Sequence, residues 1–129
     1  MEILIDTNFI ITCSKNKIDM FSQLQDLFPG DKIIIPKQVI SELRKLLGKN
    51  KNRKDKQAIE ISLKMVETKK HLSPDLKTDD VDRGILEYLS KLDKSVLGTM
   101  DRELKQKARE IGSNIHFLRI KVGKRIEII

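Results

Sequence analysis

The chain has 129 residues, 39% hydrophobic and 35% charged, which suits one folded domain over residues 1–129 and excludes a disordered polymer. Its formal net charge of +7 favours polyanionic partners, nucleic acid foremost. Cys13 is the only cysteine, the start lacks a signal-peptide pattern, and no apolar run approaches the ~20 residues that span a bilayer; disulfides and membrane partners are excluded, and the cytoplasm is expected.

In chain order, Ile3-Leu4-Ile5 is a short continuous apolar run, the pattern of a strand buried on both faces. It ends at Asp6-Thr7-Asn8, residue types that cap helices, with Phe9-Ile10-Ile11 following. Asp19 to Phe28 places Met20, Phe21, Leu24, Leu27 and Phe28 at helical spacing, and Pro29-Gly30 stops it. Ile33-Ile34-Ile35 reads as a second strand. Pro36 then takes a first-turn position in a helix with Val39, Ile40, Leu43, Leu46 and Leu47 on one face, and Gly48 reads as its C-cap. Lys49 to Lys56 has no apolar residue and reads as a solvated basic loop. A helix through Ala58, Ile59, Ile61, Leu63, Met65 and Val66 comes next, then a short extended stretch at His71-Leu72 and a Ser73-Pro74 turn.

The acidic Thr78-Asp79-Asp80-Val81-Asp82 opens a helix through Ile85, Leu86, Leu89 and Leu92, where acids suit the positive end of the helix dipole. Ser95-Val96-Leu97-Gly98 is the third strand, ended by Thr99. Asp101 begins a charged helix with Leu104, Ala108 and Ile111 inward and Gly112 closing it. Ile115 to Arg119 and Arg125 to Ile129 flank Val122-Gly123-Lys124 as a hairpin-like ending. Strands alternating with helices give an α/β class: a three-layer α/β/α sandwich around a mostly parallel, Rossmann-like sheet, with C-terminal hairpin-like strands.

Four acids lie where these elements begin or end: Asp6, Glu42, Asp82 and Asp101. Residues near the carboxyl ends of parallel strands converge on one crevice although distant in sequence. Taken singly, each has a structural reading. Asp6 and Asp101 would cap helices, Glu42 would be a solvated helix residue, and Asp82 would serve a dipole beside Asp79 and Asp80. Taken together, four carboxylates cannot all stay ionised without a cation. Mg²⁺ takes oxygen ligands and keeps several waters, so a few carboxylates suffice to hold it. His71 and His116 have no metal-ligand spacing with Cys13, which argues against zinc.

In this order the motifs resemble the PIN-domain nucleases. The family's first motif is a strand running into Asp-Thr-Asn, here Ile5-Asp6-Thr7-Asn8. The second acid lies early in a helix, as in Val39-Ile40-Ser41-Glu42-Leu43; the third is matched by Asp82-Arg83-Gly84-Ile85, and the fourth by Thr99-Met100-Asp101, continued by Arg102-Glu103-Leu104. The resemblance spans essentially the whole chain and is nearest to the archaeal and ribosomal-RNA-processing branch rather than to a typical toxin. Met100 departs from the Asn often found between Thr and Asp, and Asp79 competes with Asp82 for the third position.

The resemblance implies a Mg²⁺- or Mn²⁺-dependent endoribonuclease for single-stranded RNA, acting in RNA processing or turnover. Asp6, Glu42, Asp82 and Asp101 would hold the metal, with Asp79 as an alternative ligand and Thr7, Asn8 and Thr99 in support. Two alternatives stand beside it: the toxin of a toxin–antitoxin pair, and a catalytically silent RNA-binding or assembly module. The implied partners are RNA, a second copy in a homodimer, and an antitoxin or processing-complex protein. For RNA contact, Arg83, Arg102 and Lys105 lie near the motifs, and Lys49, Lys51, Arg53 and Lys54 would form a basic arm beside the Glu42 helix. Lys107 and Arg109 read as solvating a helix face. Phe9, Phe21 and Phe28 fall on apolar faces and read as core, which leaves RNA recognition to charge and shape.

Overall fold

Successive side chains of a strand point to opposite faces of its sheet, and in this chain both faces are apolar. The computed structural model describes residues 1–112 and 114–129. Its elements are β1 (Glu2–Ile5), α1 (Thr7–Lys15), α2 (Met20–Leu27), β2 (Lys32–Ile34), α3 (Lys37–Lys49), α4 (Arg53–Thr68), α5 (Val81–Ser90), β3 (Ser95–Gly98), α6 (Arg102–Ile111), β4 (Ile115–Lys121) and β5 (Arg125–Ile128). The sheet order is β2-β1-β3-β4-β5. The first three pairings are parallel, and β4 with β5 closes the sheet as an antiparallel hairpin.

Ile3, Ile5, Ile33, Val96 and Leu118 face a core shared with α1, α2, α3 and α4. Leu4, Ile34, Leu97 and Phe117 face the opposite core, filled by Ile85 and Leu89 of α5 and by Leu104 and Ala108 of α6. Three layers result, and the expected α/β/α sandwich is observed. The three phenylalanines read as core are buried, Phe9 fully and Phe21 and Phe28 nearly so.

Several local expectations are corrected. Gly48 lies inside α3, which runs on to Lys49 and is capped by Asn50. Pro36 stands just before that helix as its N-cap residue rather than within its first turn. The stretch from Lys49 to Lys56 is not one basic loop: Asn52 accepts hydrogen bonds from the Lys54 and Asp55 N–H groups and starts α4 at Arg53. The cap outweighs the missing apolar residues, because the first turn of a helix needs partners for its free N–H groups before it needs a buried face. Ile111 is 41% exposed, so the inward face of α6 ends at Ala108. The extended stretch at Leu72 forms a single parallel bridge to Ile34.

The strand order also fixes where a site can form. β1 sends its connection to one side, towards β2, while β3 lies on its other side, so the chain reverses direction across the sheet beside the end of β1. A crevice opens at such a reversal, beyond the carboxyl ends of the strands.

Candidate functional site

Asp6 ends β1 at this reversal and Thr99 ends β3 beside it, joined by the Asp6 N–H donating to the Gly98 carbonyl at 2.9 Å. Gly98 permits the approach. A Cβ there would come within 2.8 Å of Ile5 Cδ1 and 3.2 Å of Leu118 Cδ1.

Asp6 caps α1: its Oδ1 accepts from the Thr7 N–H at 2.8 Å, and its Oδ2 accepts from the Thr99 hydroxyl at 2.9 Å. The Thr99 hydroxyl also accepts from the Asp101 N–H at 3.1 Å, so one buried oxygen ties the first acid to the backbone of the fourth. Its single proton is directed to Asp6; the Asn8 Oδ1 lies further off at 3.4 Å and instead takes the Met100 N–H at 3.0 Å. The departure at Met100 therefore leaves a backbone bond in place, and its side chain is largely turned to solvent.

Asp101 caps α6, accepting at Oδ1 from the Glu103 and Leu104 N–H groups at 2.9 and 3.2 Å. Both bonds fall on one oxygen, which leaves Oδ2 for another partner. Capping is thus a real role of Asp6 and Asp101 and coexists with the acid cluster. In the third motif the capping role belongs to Asp80, whose Oδ1 accepts from the Arg83 N–H at 3.2 Å. Asp82 lies in the first turn of α5, half-buried, without that duty, while Asp79 is exposed.

The four acids act on one another. Burial pushes Asp6 up to about 6 against the pull of its two hydrogen bonds, and the charges of Asp82 and Glu42 push the same way. Glu42, half-buried on α3, is raised by burial and then by Asp82, with the Thr7 hydroxyl and Lys45 opposing. Asp82 is raised by burial, then by Asp101, Asp80 and Glu103, with Lys107 opposing. The charge of Asp82 bears on both Asp6 and Glu42, whereas Asp79 is exposed.

This donor set consists of oxygens alone and is short of counter-charge, which fits a hard divalent cation. Thr7 Oγ1 adds to the fit: it is buried and, among the described residues, closes no hydrogen bond of good geometry, although it is near enough to favour ionised Glu42. Among the described residues no three His, Cys, Asp or Glu side chains are gathered into a single coordination sphere. A cation that keeps several waters needs fewer protein ligands than a closed cage, and this spacing of carboxylates fits only the former.

Two further residues, Gln38 and Gly84, hold the segments that carry the acids. Gln38, in the first turn of α3, donates to Asp75 at 2.7 Å and accepts from the Leu76 N–H at 3.0 Å, tying the Glu42 helix to the segment that leads into α5. Gly84 lets that segment lie against α5, since a Cβ would meet Thr78 Cγ2 at 2.8 Å and Leu76 Cβ at 2.9 Å. Sequence reasoning gave Gln38 no role, quoted Gly84 and Glu103 only as neighbours within the motifs, and read Lys107 as solvating a helix face, whereas the charges of Glu103 and Lys107 bear on Asp82. The i,i+4 spacing of Glu103 and Lys107 on one helix was the available signal for that pair.

The basic residues fall into three places. Arg83 pairs with Glu87 at 3.3 Å on α5. Arg102 and Lys105 lie on α6, next to Arg109. Lys49, Lys51, Arg53 and Lys54 flank the α3–α4 turn, where Lys49 stands about 10 Å along the helix axis from Glu42, at 1.5 Å per residue. They form two helix ends rather than an arm.

Residues 3–121 match the family model described as a PIN-like domain. The chain is 30% identical over 128 residues to ribonuclease VapC4 of Methanocaldococcus jannaschii, covering 98% of this chain and 95% of that protein. Among solved structures it superposes on the PIN domain endonuclease Utp24 with a TM-score of 0.80 and 25% identity, covering 98% of this chain and 90% of that one. A domain of a functionally unknown protein from Methanocaldococcus jannaschii shares the fold with a TM-score of 0.57 at 20% identity, covering 99% and 97% of the two chains.

Proposed function

The chain belongs to the PIN-like domain family, and from that premise we propose that it is a divalent-metal-dependent endoribonuclease for single-stranded RNA, acting in RNA processing or turnover in the cytoplasm. No helix among the described residues is long and apolar enough to cross a membrane. The observation that carries the reading is that the Thr99 hydroxyl ties Asp6 to the Asp101 backbone at the strand-order reversal, with the charges of Glu42 and Asp82 near enough to bear on Asp6.

In this reading Asp6, Glu42, Asp82 and Asp101 hold Mg²⁺ or Mn²⁺. The bound cation supplies Lewis acidity, which eases ionisation of water and offsets charge on the phosphoryl oxygens. The chain's own work is placement. Thr99 fixes the Asp6 carboxylate and, through the Asp101 N–H, the start of α6. Asn8 holds the intervening Met100 backbone. Asp101 keeps one oxygen on its helix and offers the other to the crevice. Water adds to phosphorus as the bond to the 3′-oxygen breaks, leaving a 5′-phosphate and a 3′-hydroxyl. No side-chain nucleophile is needed.

The same chemistry would serve a toxin restrained by a small partner protein. Ile61, 55% exposed on α4 beside half-buried Met65, is the observation that favours keeping this second reading. Growth arrest on expression, relieved by Asp6→Asn, would support it.

The deciding experiment incubates labelled single-stranded RNA with the protein across a titration of Mg²⁺ or Mn²⁺. Cleavage is expected with either ion, is lost in EDTA, and is lost in Asp101→Asn. Undiminished cleavage by Asp101→Asn would remove that residue from the site. Tight RNA binding without cleavage under any divalent ion would replace the enzyme with a binding module.

A further inference from the structure

Helix α6 carries its cations in two stripes. Lys107 pairs with Glu103 at 3.6 Å and turns its charge towards Asp82. Arg102, Lys105 and Arg109, spaced i, i+3 and i+7, share a different side of the helix. Among the described residues none of these three makes an ion pair.

Their placement is specific. The Arg109 guanidinium carbon lies 4.9 Å from the centre of the Phe117 ring, which is buried in the sheet, so the arginine rests on a rigid platform. Lys105 is half-buried between the two arginines. Burial first, and then the charges of Arg109 and Arg102, lower its affinity for its proton. Asp101 stands only at the head of this stripe, and an anion bound farther along it would relieve the crowding of like charges around Lys105. Arg102 adjoins Asp101 at the head of α6, and the stripe extends about 10 Å along the axis to Arg109, at 1.5 Å per residue, with room for more than one phosphate.

We propose that Arg102, Lys105 and Arg109 form a track for the sugar-phosphate backbone of single-stranded RNA, leading away from the acid cluster along α6. This rests on the nuclease reading above and selects one basic surface over the α3–α4 turn and over Arg83. Arg83 is already paired with Glu87, and the turn lies at the far end of the Glu42 helix. Lys107, already engaged by acids, is not part of the track.

The test measures binding of a fluorescent single-stranded oligouridylate by anisotropy, in EDTA and across a salt series, so that cleavage plays no part. Each lost phosphate contact should flatten the slope of log affinity against log salt by about 0.7 and weaken binding about five-fold at 0.1 M salt. Lys105→Gln and Arg109→Gln should each do so and their effects should add, whereas Lys105→Arg should keep the wild-type slope. Lys107→Gln and Lys54→Gln should leave the slope unchanged. The track is overturned if Lys105→Gln and Arg109→Gln bind like wild type, if Lys107→Gln or Lys54→Gln loses as much as they do, or if wild type binds no RNA. Circular dichroism melts confirm that the variants compared are folded. Binding that follows the track, with no cleavage under Mg²⁺ or Mn²⁺, would sink the nuclease reading and leave the track standing.

Discussion

The crevice beyond β1 and β3 and the hairpin of β4 and β5 treat carboxylates in opposite ways. In the hairpin, Glu127 takes hydrogen bonds from Arg119 Nε and Nη2 at 3.2 and 3.1 Å and an ion pair from Lys121 at 3.5 Å, and these hold its pKa below the usual range. In the crevice, Asp6, Glu42 and Asp82 are all held above it, by burial first and then by neighbouring carboxylates: Asp82 and Glu42 for Asp6, Asp82 for Glu42, and Asp101, Asp80 and Glu103 for Asp82. One fold thus contains a carboxylate matched to its cations and a group of carboxylates left short of them. The hairpin acid is complete within the chain; the crevice acids lack such cations, and that shortfall is the ground for the proposed metal.

The largest effect that could break this contrast is expected at Asp6. Asp6→Asn should lower metal-dependent cleavage on the order of 10³-fold while stabilising the metal-free protein at neutral pH. The sign follows from linkage. A carboxylate whose folded pKa is raised to about 6 from 3.8 keeps its full contribution below pH 4 and loses it as pH rises through 6. Removing the charge should restore up to about 3 kcal/mol above pH 7 and almost nothing near pH 4. Urea unfolding in EDTA at pH 4 and pH 7.5 measures it, and added Mg²⁺ should stabilise wild type far more than the variant. A variant less stable than wild type at pH 7.5 would mean that capping of α1 outweighs repulsion.

The next effect concerns how the crevice is built. Gly84→Ala brings a Cβ within 2.9 Å of Leu76 Cβ, a side-chain root that cannot swing aside. The expected cost is about 1–3 kcal/mol of stability, with cleavage falling roughly 10- to 100-fold because α5 carries Asp82. Unchanged cleavage in a destabilised protein would show that the 74–80 segment yields without moving the helix.

Gly84 also marks the limit of what the sequence conveys. The strands were legible, and the acids stood out as candidates, because each is a local pattern: an apolar run ended by Asp6, or Thr99 and Asp101 at a strand-to-helix junction. The preference for Asp82 over Asp79 in the proposed site needed the fold, since it rests on Asp80 taking the cap and on the charge of Asp101 reaching Asp82. Gln38 and Gly84 act through a segment about 40 residues away or through a backbone approach, and neither leaves a periodic trace. The α3–α4 turn misled for the opposite reason. A run of charges reads as a solvated loop, yet Asn52 needs only its own side chain to start a helix there.

The smallest expected effect is at the hairpin. Glu127→Gln removes the negative partner of Arg119 and Lys121 but keeps a side-chain oxygen for their hydrogen bonds, and the pairs lie at the surface, where solvent screens them. A lowered carboxylate contributes stability above its unfolded pKa and loses it as pH falls, so any cost should appear at neutral pH and fade in acid. The melting temperature should drop by about a degree at low salt and by less in 0.5 M salt, with cleavage unchanged. Set beside Asp6→Asn, the two neutralisations should move metal-free stability in opposite directions at pH 7.5. If both lower it, repulsion among the crevice acids is weaker than the cap that Asp6 makes on α1, and the physical argument for a cation at the end of β1 and β3 loses its ground.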